Sequence, residues 1–430
     1  MLNPSDRGQP AAVPTPGGRV LAILLLAYIF NFLDRQILSI LQIPIKAELG
    51  LTDSQIGLMG GIAFALLYSG LGVPLAWLAD RTDRVKIIAV SLALWSGFTA
   101  LCGAANNFWQ LFLARMGVGV GEAGGVAPAY ALISDNFPPE RRARAMAIFS
   151  LGIPIGSALG IFFGGWLASS VNWRIAFAVV GLAGLFLAPL VWFAIKDPGR
   201  GRFDSAVGAA ADPAPPFLTV LGTLLVKPTF WLLSFGAGAG SILGYGLAFW
   251  LPAFLTRSRG LELMDISWFY GSIALVGGVG GVWLGGLVGD RLGRIRPAGY
   301  PLIPTICFLL AAPLYAIGIY TPSLTVAWFV ITLGTALGLA WLGPIIAAVQ
   351  HIVPPNMRAT SSAAFLLINN LLGIGFGIWF VGQLSDLLTP TYGTAALQHA
   401  LLYSLGFYLL SALLYGLAAW RIGRDWYRAS

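Results

Sequence analysis

From Val20 to Trp420 the chain is a succession of apolar runs, each about as long as a bilayer is thick, broken by short turns that carry most of the charge. A spanning helix needs roughly 20 apolar residues, because in hydrocarbon every backbone N–H and C=O must be satisfied within its own segment. Runs bounded by Gly, Pro or charge predict spans near 20–44, 54–79, 86–104, 108–132, 144–168, 174–195, 229–255, 265–289, 299–319, 323–350, 358–385 and 396–420. Only 10% of the residues are charged and 57% are hydrophobic, whereas a soluble domain is about one quarter charged. The fold class is therefore an all-α membrane protein of twelve transmembrane helices, with no sizeable soluble domain.

The net charge of +8 falls in short clusters between apolar runs and never forms an extended stripe, which argues against a nucleic-acid partner. With a cytoplasmic N-terminus, nineteen of the 25 Lys and Arg fall in cytoplasmic segments and four, Lys46, Arg174, Arg257 and Arg259, fall opposite. The positive-inside rule then places both termini in the cytoplasm. The first run continues past Asp34 and Arg35 without a small-residue cleavage site, so it reads as a retained span and no signal peptide is expected. Cys102 and Cys307 sit in apolar runs as small core residues. Asn3 is barred from glycosylation by Pro4, and no other Asn has the required context, which favours a bacterial inner membrane.

The long polar connection lies between the sixth and seventh runs. It divides the chain into 1–196, 197–228 as a cytoplasmic linker, and 229–430, with six spans in each half. The halves echo one another. LADRTDRVK ends the second run and VGDRLGRIR the eighth, while PPERRARAMAIF opens the fifth and PPNMRATSSAAF the eleventh, which marks a duplicated unit.

These duplicated Asp-Arg-x-x-Arg turns in a six-plus-six layout resemble the loop signature of the major facilitator superfamily. Gly286, Asp290, Arg291, Gly293 and Arg294 fit that pattern, whereas Ala76 and Asp83 stand where glycines are usual. NFLDRQ at 31–36, GVGEA at 119–123 and the PPERRARAMAIF entry resemble the spinster-type lipid transporters. The resemblance implies two pseudo-symmetric six-helix bundles, in which the first and fourth helices face a central cavity.

Charge inside a span costs roughly 2.5–3.5 kcal/mol on insertion scales, so an ionisable residue there is a functional candidate by default. Asp34 and Arg35 lie near the middle of the first run. Being adjacent, they point about 100° apart and need partners on another helix. Arg115 and Glu122 are seven residues apart on one face of the fourth run, among glycines 117, 119, 121, 124 and 125 that suit close helix packing. Mutual neutralisation or snorkelling of Asp34 and Arg35, and a purely structural ion pair of Arg115 and Glu122, are the plainer alternatives to the favoured functional reading.

No run of the second half carries Asp, Glu, Lys or Arg near its centre. Tyr245, Trp250, Trp341, Asn369 and Asn370 are its candidates for a cavity wall, against the plainer reading of helix–helix hydrogen bonds or interfacial aromatics. Asp80, Arg81, Arg84, Asp290, Arg291 and Arg294 end the second and eighth runs opposite Arg144 and Arg358 at the starts of the fifth and eleventh. The resemblance makes them latches of a cytoplasmic gate. The glycines around Pro154 resemble only loosely the Gly-Pro motif of antiporters.

Together these features lead to the expectation of a secondary active transporter that works by alternating access. Its coupling ion would be the proton, carried by Asp34 and Glu122, and Arg35 and Arg115 would bind the anionic part of the substrate. The spinster resemblance implies a lysophospholipid or sphingolipid; a small organic anion or drug is the alternative, and a passive scramblase a remoter one. An intramembrane lipid enzyme lacks a ligand or nucleophile set, since the two histidines, His351 and His399, lie near run ends. Neither cofactor nor metal is expected, and a monomer is.

Overall fold

The computed structural model describes residues 17–79, 81–200, 216–354 and 357–427, which among them contain helix and no strand. Eleven helical stretches are long and apolar enough to cross a bilayer. In chain order they are Gly17–Leu49, Asp53–Ala79, Arg84–Cys102, Phe108–Asn136, Arg144–Ser170, Trp173–Ala194, Pro228–Arg259, Leu263–Gly293, Gly299–Tyr320, Leu324–His351 and Thr360–Asp425. The last holds 66 residues, about 100 Å of helix against about 30 Å of hydrocarbon. It is folded in two at Gly393, whose φ of +54° suits a residue without Cβ, and Ala396–Ser404 packs back along Ile378–Tyr392. The described residues thus make twelve crossings, an even number that puts the start of the first span and the end of the last on one face, the termini face.

Polar residues between the runs start the helices. Thr52 and Gln55 form a reciprocal capping box on the second span, and Asn107, Asn172 and Ser323 cap the fourth, sixth and tenth. Asp83, standing where the resembled signature has glycine, accepts from Val85 N at 2.9 Å and caps the third.

Several spans break. The fourth runs as Phe108–Glu122 and then Val126–Asn136, and the tenth as Leu324–Leu339 and then Leu342–His351. The breaks lie 216 residues apart, the spacing of Pro138 and Pro354 in the duplicated segments. The same spacing relates Arg142, whose Nε donates to Ser134 O at 2.8 Å, to Arg358, whose Nε donates to Gln350 O at 3.1 Å. The counterpart of Arg358 is therefore Arg142. Arg144, expected in that place, is exposed.

Small residues let backbones touch where lipid offers no hydrophobic drive to association. A Cβ on Gly156 would stand 2.4 Å from Ile29 O, bringing the fifth span onto the first, and one on Gly281 would stand 2.3 Å from Ala336 O, bringing the eighth onto the tenth. The two groups of six meet in the same way. Gly57 and Gly61 of the second span abut Trp379 and Gly375 of the eleventh, and Gly271 of the eighth abuts Phe162 of the fifth. Gly181 lies against the backbone of the third span, with Ala100 N 2.4 Å from the place of a Cβ. Gly181→Val is expected to separate the third and sixth spans at a cost of about 1–3 kcal/mol, read as a lowered unfolding temperature in detergent, while Gly97→Val, in open space, should leave that temperature unchanged.

Candidate functional site

The structure brings Asp34, Arg35, Arg115 and Glu122 together in a crossed set. Arg35 Nε donates to Glu122 Oε2 at 2.5 Å, and Arg115 Nη1 lies 3.9 Å from Asp34 Oδ1. The adjacent pair on the first span is thus divided between two residues two turns apart on the fourth. Glycines make this approach possible. Gly119 lies against Phe64 O and Gly121 against Trp95 N, with 2.6 and 2.4 Å left for a Cβ, so the fourth span packs on the second and third with its charged face toward the first.

Burial makes these pairings obligatory. Asp34 and Arg115 are 2% exposed and Glu122 is 0% exposed. Thr99 of the third span donates to Asp34 Oδ2. The Arg35 guanidinium lies 4.5, 4.8 and 5.1 Å from the ring centroids of Tyr68, Phe64 and Phe32, a cage whose ring faces attract a cation by ~0.5–2 kcal/mol. Asp34 Oδ1, Glu122 Oε1, Arg35 Nη2, and Nε and Nη1 of Arg115 keep no hydrogen-bond partner in the protein. The set is neutral while both carboxylates are ionised. One proton added to either leaves an arginine in excess, with donors to spare.

A cavity of about 250 Å³ lies beside this set, between the two groups of six spans. Arg35, Arg115 and Phe64 line it from one side, and Tyr245, Tyr270 and Trp341 from the other, whereas Asp34 and Glu122 stand behind the arginines and do not. Asn369 and Asn370 differ from expectation, since neither lines the cavity. Asn369 Oδ1 accepts from Ser241 Oγ at 2.7 Å, and its Nδ2 donates to Asn370 Oδ1 at 3.4 Å, so they tie the eleventh span to the seventh. Trp250 is likewise buried outside the wall and donates to Ile378 O at 2.8 Å. Residues not singled out from the sequence also serve the site. Gln36 Nε2 and Tyr270 Oη both reach Ala248 O, at 3.0 and 2.8 Å, and Asn31 adjoins Glu122. Asn31 and Gln36 carried a signal, being polar inside an apolar run; Thr99 carried almost none.

The two faces of the bundle differ. On the face away from the termini, Asp53 accepts from Arg257 Nη1 and Nη2 at 2.6 Å each, from Ser385 Oγ at 2.7 Å and from Lys46 Nζ. Asp386 accepts from Ser54 N at 2.7 Å, capping the second span from the other half. On the termini face, the described contacts stay within one half. Arg84, expected as a gate latch, is buried between Asp135 at 2.5 Å and Asp197 at 2.6 Å. Burial opposes the ionisation of Asp197, but the hydrogen bonds and charge of Arg84 outweigh it and hold the carboxyl below its usual range. This contact stabilises fully above that range and is lost only as pH falls through the depressed value. Arg81 stacks on Trp77, its Cζ 4.0 Å from the ring centroid, and Arg291 is exposed. Asp80 and the side chains of Asp290 and Arg294 lie outside the described residues.

Removing one member of a buried pair strands the other charge, at a cost of about 3–5 kcal/mol. Arg35→Met is therefore expected to lower thermal stability more than Arg35→Met combined with Glu122→Gln; a double-mutant cycle on unfolding temperature reads the coupling, and strictly additive losses would contradict the pairing.

The family model of the Major Facilitator Superfamily matches residues 24–378. The chain is 36% identical over 415 residues to an MFS-type efflux pump of Mycolicibacterium smegmatis, covering 96% of this chain and 95% of that protein. It is 31% identical to protein spinster homolog 3 of Danio rerio, with 89% and 81% covered, and 30% identical to protein spinster homolog 1 of Homo sapiens, with 91% and 78% covered. The crystal structure of a bacterial homolog to the human lysosomal transporter spinster, in an inward-facing and unoccupied conformation, superposes with a TM-score of 0.86 at 29% identity, covering 98% of this chain and 100% of that one. This leaves no place for the intramembrane enzyme weighed from the sequence. The twelve-span chain belongs to the Major Facilitator Superfamily and, within it, to the spinster-type transporters.

Proposed function

We propose that this protein is a proton-coupled transporter that moves an anionic amphiphile of lysophospholipid type by alternating access. The observation that carries the reading is the order of charges at the cavity, with the two arginines facing the substrate space and the two carboxylates behind them. A proton on Glu122 or Asp34 releases an arginine for an anionic head group, and loss of the proton restores the ion pair and expels the head group. Substrate binding and proton binding are then linked through one charge balance. The wall around the arginines is mainly aromatic and apolar, which suits an acyl chain. At about 250 Å³ the cavity is smaller than a typical pocket of about 300–1,000 Å³, so it takes a head group and the start of a chain, the remainder emerging between spans.

With the termini face read as cytoplasmic, the Asp53–Arg257 seal closes the outer face and the conformation is inward-open. The two halves act as the rocking bodies, 197–228 as the linker between them, and a bacterial inner membrane as the location. Extrusion of a small amphiphilic drug is the second reading, favoured by the likeness to the Mycolicibacterium smegmatis efflux pump over nearly the whole of both chains.

Reconstitution into liposomes with an imposed pH gradient tests the coupling. A labelled anionic lysolipid should accumulate along the gradient, and Glu122→Gln and Asp34→Asn should abolish the pH dependence without loss of folded protein; accumulation indifferent to the gradient would sink the proposal, and preference for cationic drugs would select the second reading. The seal gives an independent expectation. In a cysteine-free background, Gln36→Cys should react faster with an impermeant maleimide from the outer face when Asp53→Asn and Arg257→Ala are added; an unchanged rate would show that these residues do not hold that face shut.

A further inference from the structure

The carboxylates stand behind two arginines, so a proton entering through the substrate cavity would have to pass two fixed positive charges in a medium of low dielectric. A second, smaller cavity lies off that route. About one turn nearer the termini face along the first span, this cavity of about 20 Å³ is lined by Tyr28 and Asn31 of that span, Trp95 of the third, Gly125, Val126 and Ala129 of the fourth and Phe149 of the fifth. A water needs about 10–15 Å³ of such space and two to four polar partners. Asn31 supplies them: it is 2% exposed, and both its Oδ1 and its Nδ2 are without a hydrogen-bond partner in the protein.

Three further observations point the same way. Asn31 adjoins Glu122, whose Oε1 is also unpartnered. The helix break at 123–125, where the regular ladder of backbone hydrogen bonds is interrupted, directly follows Glu122, and the cavity is lined by Gly125 within the break and Val126 just beyond it. Toward the termini face the hydroxyls of Tyr28, Tyr130 and Ser150 lie within reach of one another.

We propose that this small cavity is a water site, held by Asn31, through which Glu122 exchanges its proton with the termini face along a path separate from the substrate's. The inference rests on the reading of Glu122 as proton carrier. The titratable groups that face Glu122 are Arg35 and Asp34 of the first span and Arg115 of its own. Cys102 of the third span faces Asp34 and Arg115, and Tyr68 of the second and Tyr245 of the seventh face Arg35. Asn31 is a positioning residue, since it orders the water and carries no proton of its own.

Infrared spectroscopy of the full-length protein in lipid, with the buffer stepped between high and low pH, reads the protonation of Glu122 directly as the carboxyl band lost in Glu122→Gln. It needs no substrate. Asn31→Leu, which fills the cavity and removes its polar lining, should slow the appearance of that band about tenfold, and Asn31→Ser should keep the wild-type rate. Ala129→Val narrows the same cavity from the fourth span and should slow the band as Asn31→Leu does, which decides the matter if Asn31→Leu does not fold. A wild-type rate in the filled variants would overturn the water path and leave the proton-carrier reading standing. No titrating Glu122 band in the wild type would overturn both.

Discussion

Charge cannot stand alone in hydrocarbon, and most of this architecture answers that constraint. Four ionised groups at mid-bilayer depth are tolerable only if each finds an opposite charge within a few ångströms. The first and fourth spans must therefore approach closely and in one rotational setting. The glycines of the fourth span permit that approach, Phe64 and Trp95 fill the spaces around it, and the aromatic cage of Arg35 replaces part of the water that the guanidinium gives up. Packing and charge are here one device, since neither the glycines nor the arginines make sense without the other.

The pairing is saturated in charge and unsaturated in hydrogen bonds. Several donors and acceptors of the set are buried without partners in the protein. Such groups are costly to leave unmade, and that cost favours any ligand able to satisfy them. A network in this condition is poised, because one added proton or anionic group changes its charge balance. The seal on the far face is the opposite case. Asp53 accepts four hydrogen bonds from three side chains and Asp386 caps a helix across the interface, so opening that face has to break several contacts together.

Much of this was legible in the residues. Runs of apolar sequence give twelve crossings, and the rarity of charge within them singles out Asp34, Arg35, Arg115 and Glu122. What the pattern did not convey was rotation and lateral neighbourhood. Asn369 and Asn370 are polar within an apolar run, as Asn31 is, yet they bond to Ser241 and each other; nothing in hydropathy distinguishes a polar residue facing a cavity from one facing a neighbouring helix. Thr99 escapes notice because threonine is unremarkable in a membrane helix. Arg142 and Arg144 are exchanged for the same reason, being two residues apart on a helix whose setting the sequence leaves free. The partnership of Asp53 with Arg257 joins positions 204 residues apart and has no local signature at all.

The matched breaks in the fourth and tenth spans expose what duplication left behind. By the 216-residue spacing the counterpart of Glu122 is Gly338, and by the 210-residue spacing of the two Asp-Arg turns the counterparts of Asp34 and Arg35 are Gly244 and Tyr245. The ancestral symmetry of the backbone survives while its chemistry has parted: one copy keeps the ionisable groups, and in the other those places hold hydrogen, and a phenol on the cavity wall. Such a division frees the second copy to vary. Its residues at those places can be exchanged without altering the sum of the four buried charges.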